Sequence, residues 1–287
     1  MLIRFGYDIS LRSQQATPMI SLLAVHPERR GDLRGEEAFL ITPETESATY
    51  RDLYGNICRR FTAPPGEVRI WGDGVIEDDG LIDEADFAAE EIPVQELPDE
   101  TLVFLLGSRY CETDRISQFA WDRFGQLSPG WNRVQAVCNF VHDRIRFDYM
   151  EARDTRTAFE AYEECKGVCR DFTHLGVALC RALNVPTRYV NGYLGDIGVP
   201  IQDPMDFSAW MECYLRDKTG QGRWFTFDPR NNMPRMGRIV IARGRDAADV
   251  PLVHSFGQHT LQDFRVWTYE LDEDGEELRE WEQVQVG

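Results

Sequence analysis

The hydrophobic residues change their spacing twice along this chain, and this change constrains the fold more than any other feature of the sequence. From Met1 to about Trp71 the segments are short and strand-like, with Gly, Pro and charged residues in the turns between them. Beyond Pro98, apolar residues recur at positions i, i+3, i+4 and i+7, and this spacing predicts amphipathic helices over ETLVFLLGSRY, CETDRISQFAWDRF and NRVQAVCNFVHDRIRF. After Pro186 come four strand-like segments, TRYVNGYL, FSAWMECYL, RWFTFD and RIVIARG. This order predicts a β-rich N-terminal domain followed by an α+β domain.

An acidic segment separates the two predicted domains. Residues Glu77 to Glu100 read EDDGLIDEADFAAEEIPVQELPDE and contain no Lys or Arg. Such a run is usually a solvated linker or an exposed strand. We therefore expect an antiparallel, sandwich-like β domain over residues 1–95. Over residues 96–287 we expect an α+β domain whose helices pack on an antiparallel sheet.

Charge and composition argue against several classes of function. The chain has 287 residues, of which 49 are acidic and 31 basic, and its formal net charge of −18 disfavours nucleic acid and membrane surfaces as partners. The N-terminus lacks the apolar stretch of a signal peptide, and no uncharged apolar run approaches the ~20 residues that span a bilayer. Seven scattered cysteines favour reduced thiols. We expect an acidic, cytoplasmic protein whose oligomeric state stays open.

Cys169 has the setting that points most clearly to chemistry. It follows Gly167 and Val168 and begins a predicted helix with a buried stripe of Phe172, Leu175, Leu179 and Leu183. Backbone N–H groups and the helix dipole favour a thiolate at such a position, so we expect a thiol pKa below the ordinary value of about 8.5. A cysteine taken alone is often just a small buried hydrophobic residue, and that alternative stays open.

Two strands further along the chain are predicted to form a hairpin. DFSAWMECYL and RWFTFD are joined by DKTGQG, whose glycines suit a turn. Alternation places Ser208 and Trp210 on one face of the first strand, and Asp228 lies on the matching face of the second. Ser208 and Asp228 should then lie nearly opposite each other, to within one or two residues. A base oriented by Asp228 would belong at position 208.

Three segments in this order, GVCRDFTHLGVALCRALNVPTRYVNGYL, AWMECYL and WFTFDPR, resemble the core of the transglutaminase-like superfamily. In that family a cysteine at a helix start is followed by a histidine before Ala-Trp and by an aspartate before Pro. The resemblance covers about residues 101–250, and the β-rich segment before them resembles the N-terminal domain of bacterial transglutaminase-like cysteine peptidases. It implies a papain-like Cys-His-Asp site that acts on peptide or protein amides, by hydrolysis or transfer, without a metal or other cofactor.

One position departs from the family pattern. Cys169 matches the nucleophile and Asp228 the residue that orients the histidine, but Ser208 stands at the histidine position. A serine hydroxyl stays neutral near pH 7 and cannot accept a proton as imidazole does, so an ordinary triad is excluded. The predicted substitute base is His254, with water or the substrate as other sources. Trp210 is a candidate for the wall of the substrate cleft.

Two functions therefore stay open from the sequence, beside a third possibility, a scaffold in an assembly whose acidic surface faces a basic partner, which rests on charge alone. The first is a cysteine amidase or peptidase, a hydrolase or acyltransferase in which the Cys169 backbone N–H is part of an oxyanion hole. The second is a catalytically impaired pseudoenzyme that keeps the cleft as a binding module for a peptide or protein. His174, five residues after Cys169 and so about 140° around the helix, is expected to point away from the sulfur. Cys165, Cys169 and His174 lack the spacing of a standard zinc site.

Overall fold

In the part of the chain that the structure describes, the fold consists of three four-stranded antiparallel sheets, one two-stranded parallel sheet and five α-helices. The structure is a computed structural model and describes residues 1–202, 204–272 and 275–278. The helices are α1 (Asp99–Leu102), α2 (Thr113–Phe124), α3 (Trp131–Arg144), α4 (Ala158–Glu164) and α5 (Cys169–Ala182). The strands are β1 (Leu2–Ser13), β2 (Thr17–Ser21), β3 (Ala38–Thr42), β4 (Ser47–Arg51), β5 (Ile57–Ala63), β6 (Gly66–Glu77), β7 (Arg146–Phe147), β8 (Lys166–Gly167), β9 (Thr187–Leu194), β10 (Ser208–Arg216), β11 (Gly222–Phe227), β12 (Arg238–Gly244), β13 (Val253–Ser255) and β14 (His259–Leu271).

The N-terminal residues form two sheets that share a core. Their strand orders are β14-β1-β6-β3 and β13-β2-β5-β4. Alternate residues of β1 are apolar and buried, as a strand with one face on a core requires, and they pack with Met19 of β2 and Phe61 of β5. These inward residues are Ile3, Phe5, Tyr7, Ile9 and Leu11. The predicted β-sandwich-like N-terminal region is confirmed.

The C-terminal part of the chain completes both of these sheets. β14 pairs antiparallel with β1 along its length, from Leu2 opposite Leu271 to Ser13 opposite His259, and β13 pairs with β2. The division into residues 1–95 and 96–287 stays a prediction. The pairing adds that two strands from the second predicted domain belong to the sheets of the first.

The α+β part has the predicted arrangement of helices on an antiparallel sheet. Its strand order is β11-β10-β9-β12, and α5 lies against β9 and β10. The apolar stripe of α5, which includes Phe172 and Leu175, packs with Met211 and Cys213 of β10, while α2, α3 and α4 contact α5 from outside. The N-terminus of α5 is thereby held beside the start of β10.

The first predicted helix is much shorter than expected. The segment ETLVFLLGSRY was predicted as a helix, but α1 ends at Leu102 and continues only as a 3-10 turn over Val103–Leu105. Leu106 is extended, and its carbonyl accepts a hydrogen bond from Nη1 of the buried Arg181 at 3.1 Å. This tertiary contact, which local spacing cannot reveal, satisfies a carbonyl that a continuing helix would have used.

The acidic segment between the predicted domains is fastened to arginines of the α+β part. Its carboxylates form ion pairs with four arginines that lie far away in sequence, through Glu84–Arg223, Glu91–Arg133, Glu96–Arg216 and Asp83–Arg238. The segment therefore differs from a solvated linker. Its residue Asp83 reaches the interior next to the candidate site.

Candidate active site

Buried polar contacts fix the turn that leads into Cys169, the first residue of α5. Asp171 Oδ2 accepts a hydrogen bond from the Val168 N–H at 2.9 Å and from Arg156 Nη1 at 3.0 Å. The side chains of Asp171 and Arg156 are 0% and 2% exposed. A Cβ atom at Gly167 would lie 2.5 Å from Asp171 Oδ2, so a side chain at this position would displace the carboxylate. The cysteine is thus held at the helix start by residues on both sides of it.

Backbone N–H groups surround the Cys169 sulfur. The N–H of Cys169 itself has no hydrogen-bond partner within the described part of the chain, as expected in the first turn of a helix. The N–H groups of Arg170 and Ala209 lie close enough to the sulfur to favour its thiolate form, and the carbonyl of Phe207 is 3.9 Å from Sγ. A carbonyl oxygen that became negative beside this sulfur would meet donors already in place.

The resting thiol is nevertheless neutral at pH 7. Burial and the nearby Asp206 carboxylate raise the pKa of the Cys169 thiol to about 12, against the opposing effects of Arg230 and the two N–H groups. The expected lowering of this pKa by the helix N-terminus is therefore wrong. Desolvation of the charged sulfur outweighs the favourable backbone groups, so any attack by this thiol would require a base.

Ser208 lies near Cys169 but is not joined to Asp228. The hairpin pairs Met211 with Phe227, which puts Trp210 rather than Ser208 beside Asp228. Ser208 is 8% exposed and pairs with Gly192 of β9. No hydrogen bond links Ser208 to Asp228 among the residues that the structure describes. The predicted register was correct within its stated margin, but the serine does not complete a relay.

The Asp228 carboxylate accepts four hydrogen bonds. Oδ1 accepts from the N–H groups of Arg230 and Asn231 at 3.1 and 2.9 Å, and Oδ2 accepts from Asn231 Nδ2 at 2.8 Å and Arg238 Nη2 at 2.9 Å. Burial by itself would raise the pKa of Asp228, but the Arg238 charge and the Asn231 hydrogen bonds outweigh it and hold this pKa below its usual range. Asp228 is therefore an ionised anchor for the start of the following loop.

Arg238 connects the acidic segment to the site. Its Nε donates to both carboxylate oxygens of Asp83 at 2.9 and 3.0 Å, while its Nη2 holds Asp228. Its guanidinium lies 4.9 Å from the ring centroid of Trp210. Trp210 is fully buried and lines neither cavity at Cys169, so its predicted place in the cleft wall is corrected to a support for Arg238.

Two cavities meet at the sulfur. The narrow cavity has a volume of about 150 Å³ and is lined by Tyr149, Cys169, Asp206, Ser208, Arg230 and Arg235, among others. The wide cavity has a volume of about 380 Å³ and is lined by Tyr110, Asp154, Cys169, Asp206, Ser208 and Ala247, among others. Because Cys169, Asp206 and Ser208 border both, a substrate could extend to either side of the sulfur.

The histidines lie elsewhere. His254, the predicted substitute base, is exposed on β13 opposite Ile20, and its ring packs against Phe256. Its neighbour Val253 borders the wide cavity, but His254 itself lines neither cavity, because alternation along β13 turns it to the exposed face, so the geometry does not support its predicted role. His174 is fully buried, and its Nε2 accepts a hydrogen bond from the Ala247 N–H at 3.1 Å.

Sequence reasoning missed three side chains at the site, Asp206, Arg230 and Arg238. Asp206 and Arg230 both line the narrow cavity, and Arg238 holds Asp228. A usable signal existed for the first, since Asp206 stands two residues before Ser208 in the segment DFSAWMECYL. A carboxylate two positions before the expected histidine is a candidate to replace it.

Neither a metal-ligand cluster nor a membrane-crossing helix occurs in the ranges 1–202, 204–272 and 275–278. No group of three or more His, Cys, Asp or Glu side chains there has a geometry that could hold a metal ion. Cys165 directs its sulfur to the carbonyls of Tyr162 and Glu163, both 3.6 Å away. No helix in these ranges is both long and apolar enough to traverse a bilayer.

The comparison with known families agrees with this geometry. Residues 121–229, which run from α2 to the end of the hairpin, match the family model of the transglutaminase-like superfamily. The matched range contains Cys169, Ser208 and Asp228. The predicted family resemblance is confirmed, and this part of the chain is a transglutaminase-like core.

Individual relatives extend the similarity over more of the chain. A crystal structure from Cytophaga hutchinsonii, named as a "Putative Cysteine Protease", is 27% identical with a TM-score of 0.81 and covers 96% of this chain and 93% of that one. An uncharacterized protein of Mycobacterium leprae is 24% identical over 223 residues, or 72% of this chain and 75% of the relative. An uncharacterized protein of Mycobacterium bovis is 31% identical over 148 residues, which span 48% of this chain and only 46% of the relative.

Proposed function

We propose that this protein is a cysteine amidase or peptidase that cleaves or transfers peptide or side-chain amides through Cys169. The observation that carries the proposal is the position of the Cys169 sulfur, at the first residue of α5 and at the junction of two cavities. A nucleophile needs access to the substrate and donors for the developing oxyanion, and this position offers both. The name of the Cytophaga hutchinsonii neighbour is consistent with this chemistry.

The proposed reaction passes through a thioester. The sulfur attacks the amide carbon, and the backbone N–H of Cys169 donates a hydrogen bond to the carbonyl oxygen as that oxygen becomes negative. Loss of the amine leaves an acyl group on Cys169, which water or another amine then removes. Ser208 takes no proton in this scheme because its hydroxyl is not basic near pH 7.

The sizes of the two cavities favour a peptide or protein substrate. The narrow cavity of about 150 Å³ has room for a single side chain or acyl group. The wide cavity of about 380 Å³ can hold the adjoining residues. Seven free thiols fit a reducing compartment, so we place the protein in the cytoplasm as part of the proposal.

Acyl-enzyme formation tests this function. The wild-type protein would be mixed with p-nitrophenyl acetate, and the acetylated cysteine would be located by peptide mass spectrometry. We expect acetylation at Cys169 with saturation kinetics and its loss in Cys169→Ala. Cys165→Ala is the matched control, because Cys165 is also half-buried and lies only four residues earlier. Acetylation of Cys169 no faster than that of Cys165 would contradict the proposal.

A second candidate function is a pseudoenzyme that binds a peptide or protein in the cleft. The observations that favour it are Ser208 at the histidine position and burial that raises the pKa of the Cys169 thiol to about 12. The deciding measurement is peptide binding by Cys169→Ala together with acylation of the wild-type protein. Unchanged binding with no acylation would support the pseudoenzyme.

A further inference from the structure

We propose that Asp206 is the general base of the Cys169 site and replaces the histidine that Ser208 has displaced. This inference rests on the proposed function and names the group that would complete it. Asp206 borders both cavities that meet at the sulfur, as do Cys169 and Ser208. It directly precedes Phe207, whose carbonyl lies 3.9 Å from the sulfur.

The Asp206 carboxylate is only partly engaged. Its Oδ1 accepts the N–H of Phe207 at 2.7 Å, while Oδ2 has no hydrogen-bond partner in the described residues. A base must keep a lone pair available for the proton that it removes. Asp228, with four donors on its carboxylate, does not meet this condition.

The environment gives Asp206 a basicity close to that of imidazole. Burial raises its pKa to about 6, although the Phe207 N–H and the positive charge of Arg230 oppose the shift. Imidazole has an ordinary pKa of about 6.5, so at pH 7 the two groups would both be mostly unprotonated. A base with a pKa near the working pH serves best in proton transfer.

The other charged and titratable groups around Asp206 come from several elements. In the narrow cavity they are Tyr149, Asp196, Arg230 and Arg235. In the wide cavity they are Tyr110, Asp154, Arg170 and Tyr189. Asp196 is paired with Arg235 at 3.5 Å, and none of the five histidines borders either cavity. Asp206 is thus the carboxylate that borders both cavities and keeps a free oxygen.

Every proton is accounted for in the proposed reaction. As the sulfur forms its bond to the amide carbon, the thiol proton moves to Asp206. Asp206 then gives this proton to the leaving nitrogen as the C–N bond breaks. In the second half, Asp206 takes a proton from the attacking water while the C–O bond forms, and it returns the proton to the sulfur as the C–S bond breaks.

The same carboxylate has an opposite effect on the resting thiol, and this allows a sharp test. Asp206 raises the pKa of the Cys169 thiol, so its removal should lower that pKa and speed alkylation by iodoacetamide at a fixed pH. If Asp206 is the base, Asp206→Asn should nonetheless slow acylation by p-nitrophenyl acetate at least ~100-fold, the lower range for general base catalysis. A purely electrostatic residue would make both reactions faster.

The experiment measures both rates against pH in wild type, Asp206→Asn, Asp206→Glu and the exposed control Asp143→Asn. In wild type we expect acylation to rise through about pH 6, where Asp206 loses its proton, and then to level off. Asp206→Glu should keep partial activity, and it carries the test if Asp206→Asn fails to fold. Two results would overturn the role of Asp206. One is an acylation rate in Asp206→Asn equal to that of wild type, and the other is acylation of Asp206→Glu as slow as that of Asp206→Asn. Absence of wild-type acylation would instead contradict the proposed function itself.

Discussion

Asp228, at the end of β11, and Asp206, just before β10, are two carboxylates withdrawn from water in different ways. Asp228 accepts four hydrogen bonds, one of them from Arg238, and its pKa is lowered. Asp206 accepts one, and burial raises its pKa. The difference teaches that burial alone does not decide a carboxylate's role. The number of donors decides whether it is an anchor or an available base.

The largest effect on stability should come from removing Arg238, the charge partner of Asp228. Arg238→Met leaves the Asp228 carboxylate buried without its charge partner, so we expect the free energy of unfolding to fall by about 3 to 5 kcal/mol. Urea denaturation would measure it. Arg223→Met is the matched control, because Arg223 pairs with the exposed Glu84 and should cost at most about 1 kcal/mol. Equal losses in both variants would mean that Asp228 is not held as described.

The second-largest effect is a gain in the free energy of unfolding, not a loss. Asp206→Asn removes a carboxylate whose pKa is raised to about 6 by folding, so it should stabilise the protein at pH 8 by about 2 to 3 kcal/mol. The sign follows because the folded state disfavours ionised Asp206, a penalty fully present above the folded pKa. The penalty is absent below the unfolded pKa of about 3.9, so the gain should vanish near pH 4.

Denaturation of Asp206→Asn and wild type at both pH values checks this difference. A stability gain at pH 8 combined with slower acylation is typical of a functional residue kept at a cost to stability. No change at pH 8 would mean that Asp206 is better solvated or better partnered than the structure indicates.

Local patterns predicted much of this fold. The helix spacing after Cys169 and the alternation in β10 and β11 depend on neighbours in sequence, and α5 and the hairpin appear where those patterns placed them. One exception was the segment at α1, where the helix ends at Leu102 and the Leu106 carbonyl accepts a hydrogen bond from the distant Arg181. The spacing of apolar residues predicts which face of a helix or strand is buried. It does not predict which residue from a distant part of the chain contacts that element.

The electrostatics of the site depended on such remote groups and could not be predicted. The thiol pKa is set by burial and by Asp206, which lies 37 positions after Cys169. Arg238 reaches Asp228 from the next strand, and Asp83 reaches Arg238 from the acidic segment. His254 was a reasonable choice from its position in the sequence, but alternation along β13 puts Val253 at the wide cavity and turns His254 to the exposed face.

A third variant tests whether the acidic segment supports the anchor. Asp83→Asn removes the carboxylate that accepts from Arg238 Nε and from the Arg235 N–H, so we expect a loss of about 2 kcal/mol in the free energy of unfolding. Glu84→Gln changes the next residue, whose ion pair with Arg223 is exposed, and should cost less than about 1 kcal/mol. Thermal and urea unfolding of the two variants would separate an interior contact from a surface one.

The smallest effect is expected from restoring the histidine. Ser208→His in the Asp206→Asn background supplies an imidazole, but Asp228 is already filled by Arg238, Asn231 and the Arg230 N–H and has little capacity to orient it. We therefore expect the acylation rate to rise less than about tenfold over Asp206→Asn, or less than about 1.4 kcal/mol of barrier. The p-nitrophenyl acetate assay measures this directly, with Ser208→Ala in the same background as control. A gain of ~100-fold or more in the acylation rate would mean that Asp228 can release a donor and orient a histidine. Asp228 and Asp206 would then not differ in the way proposed here.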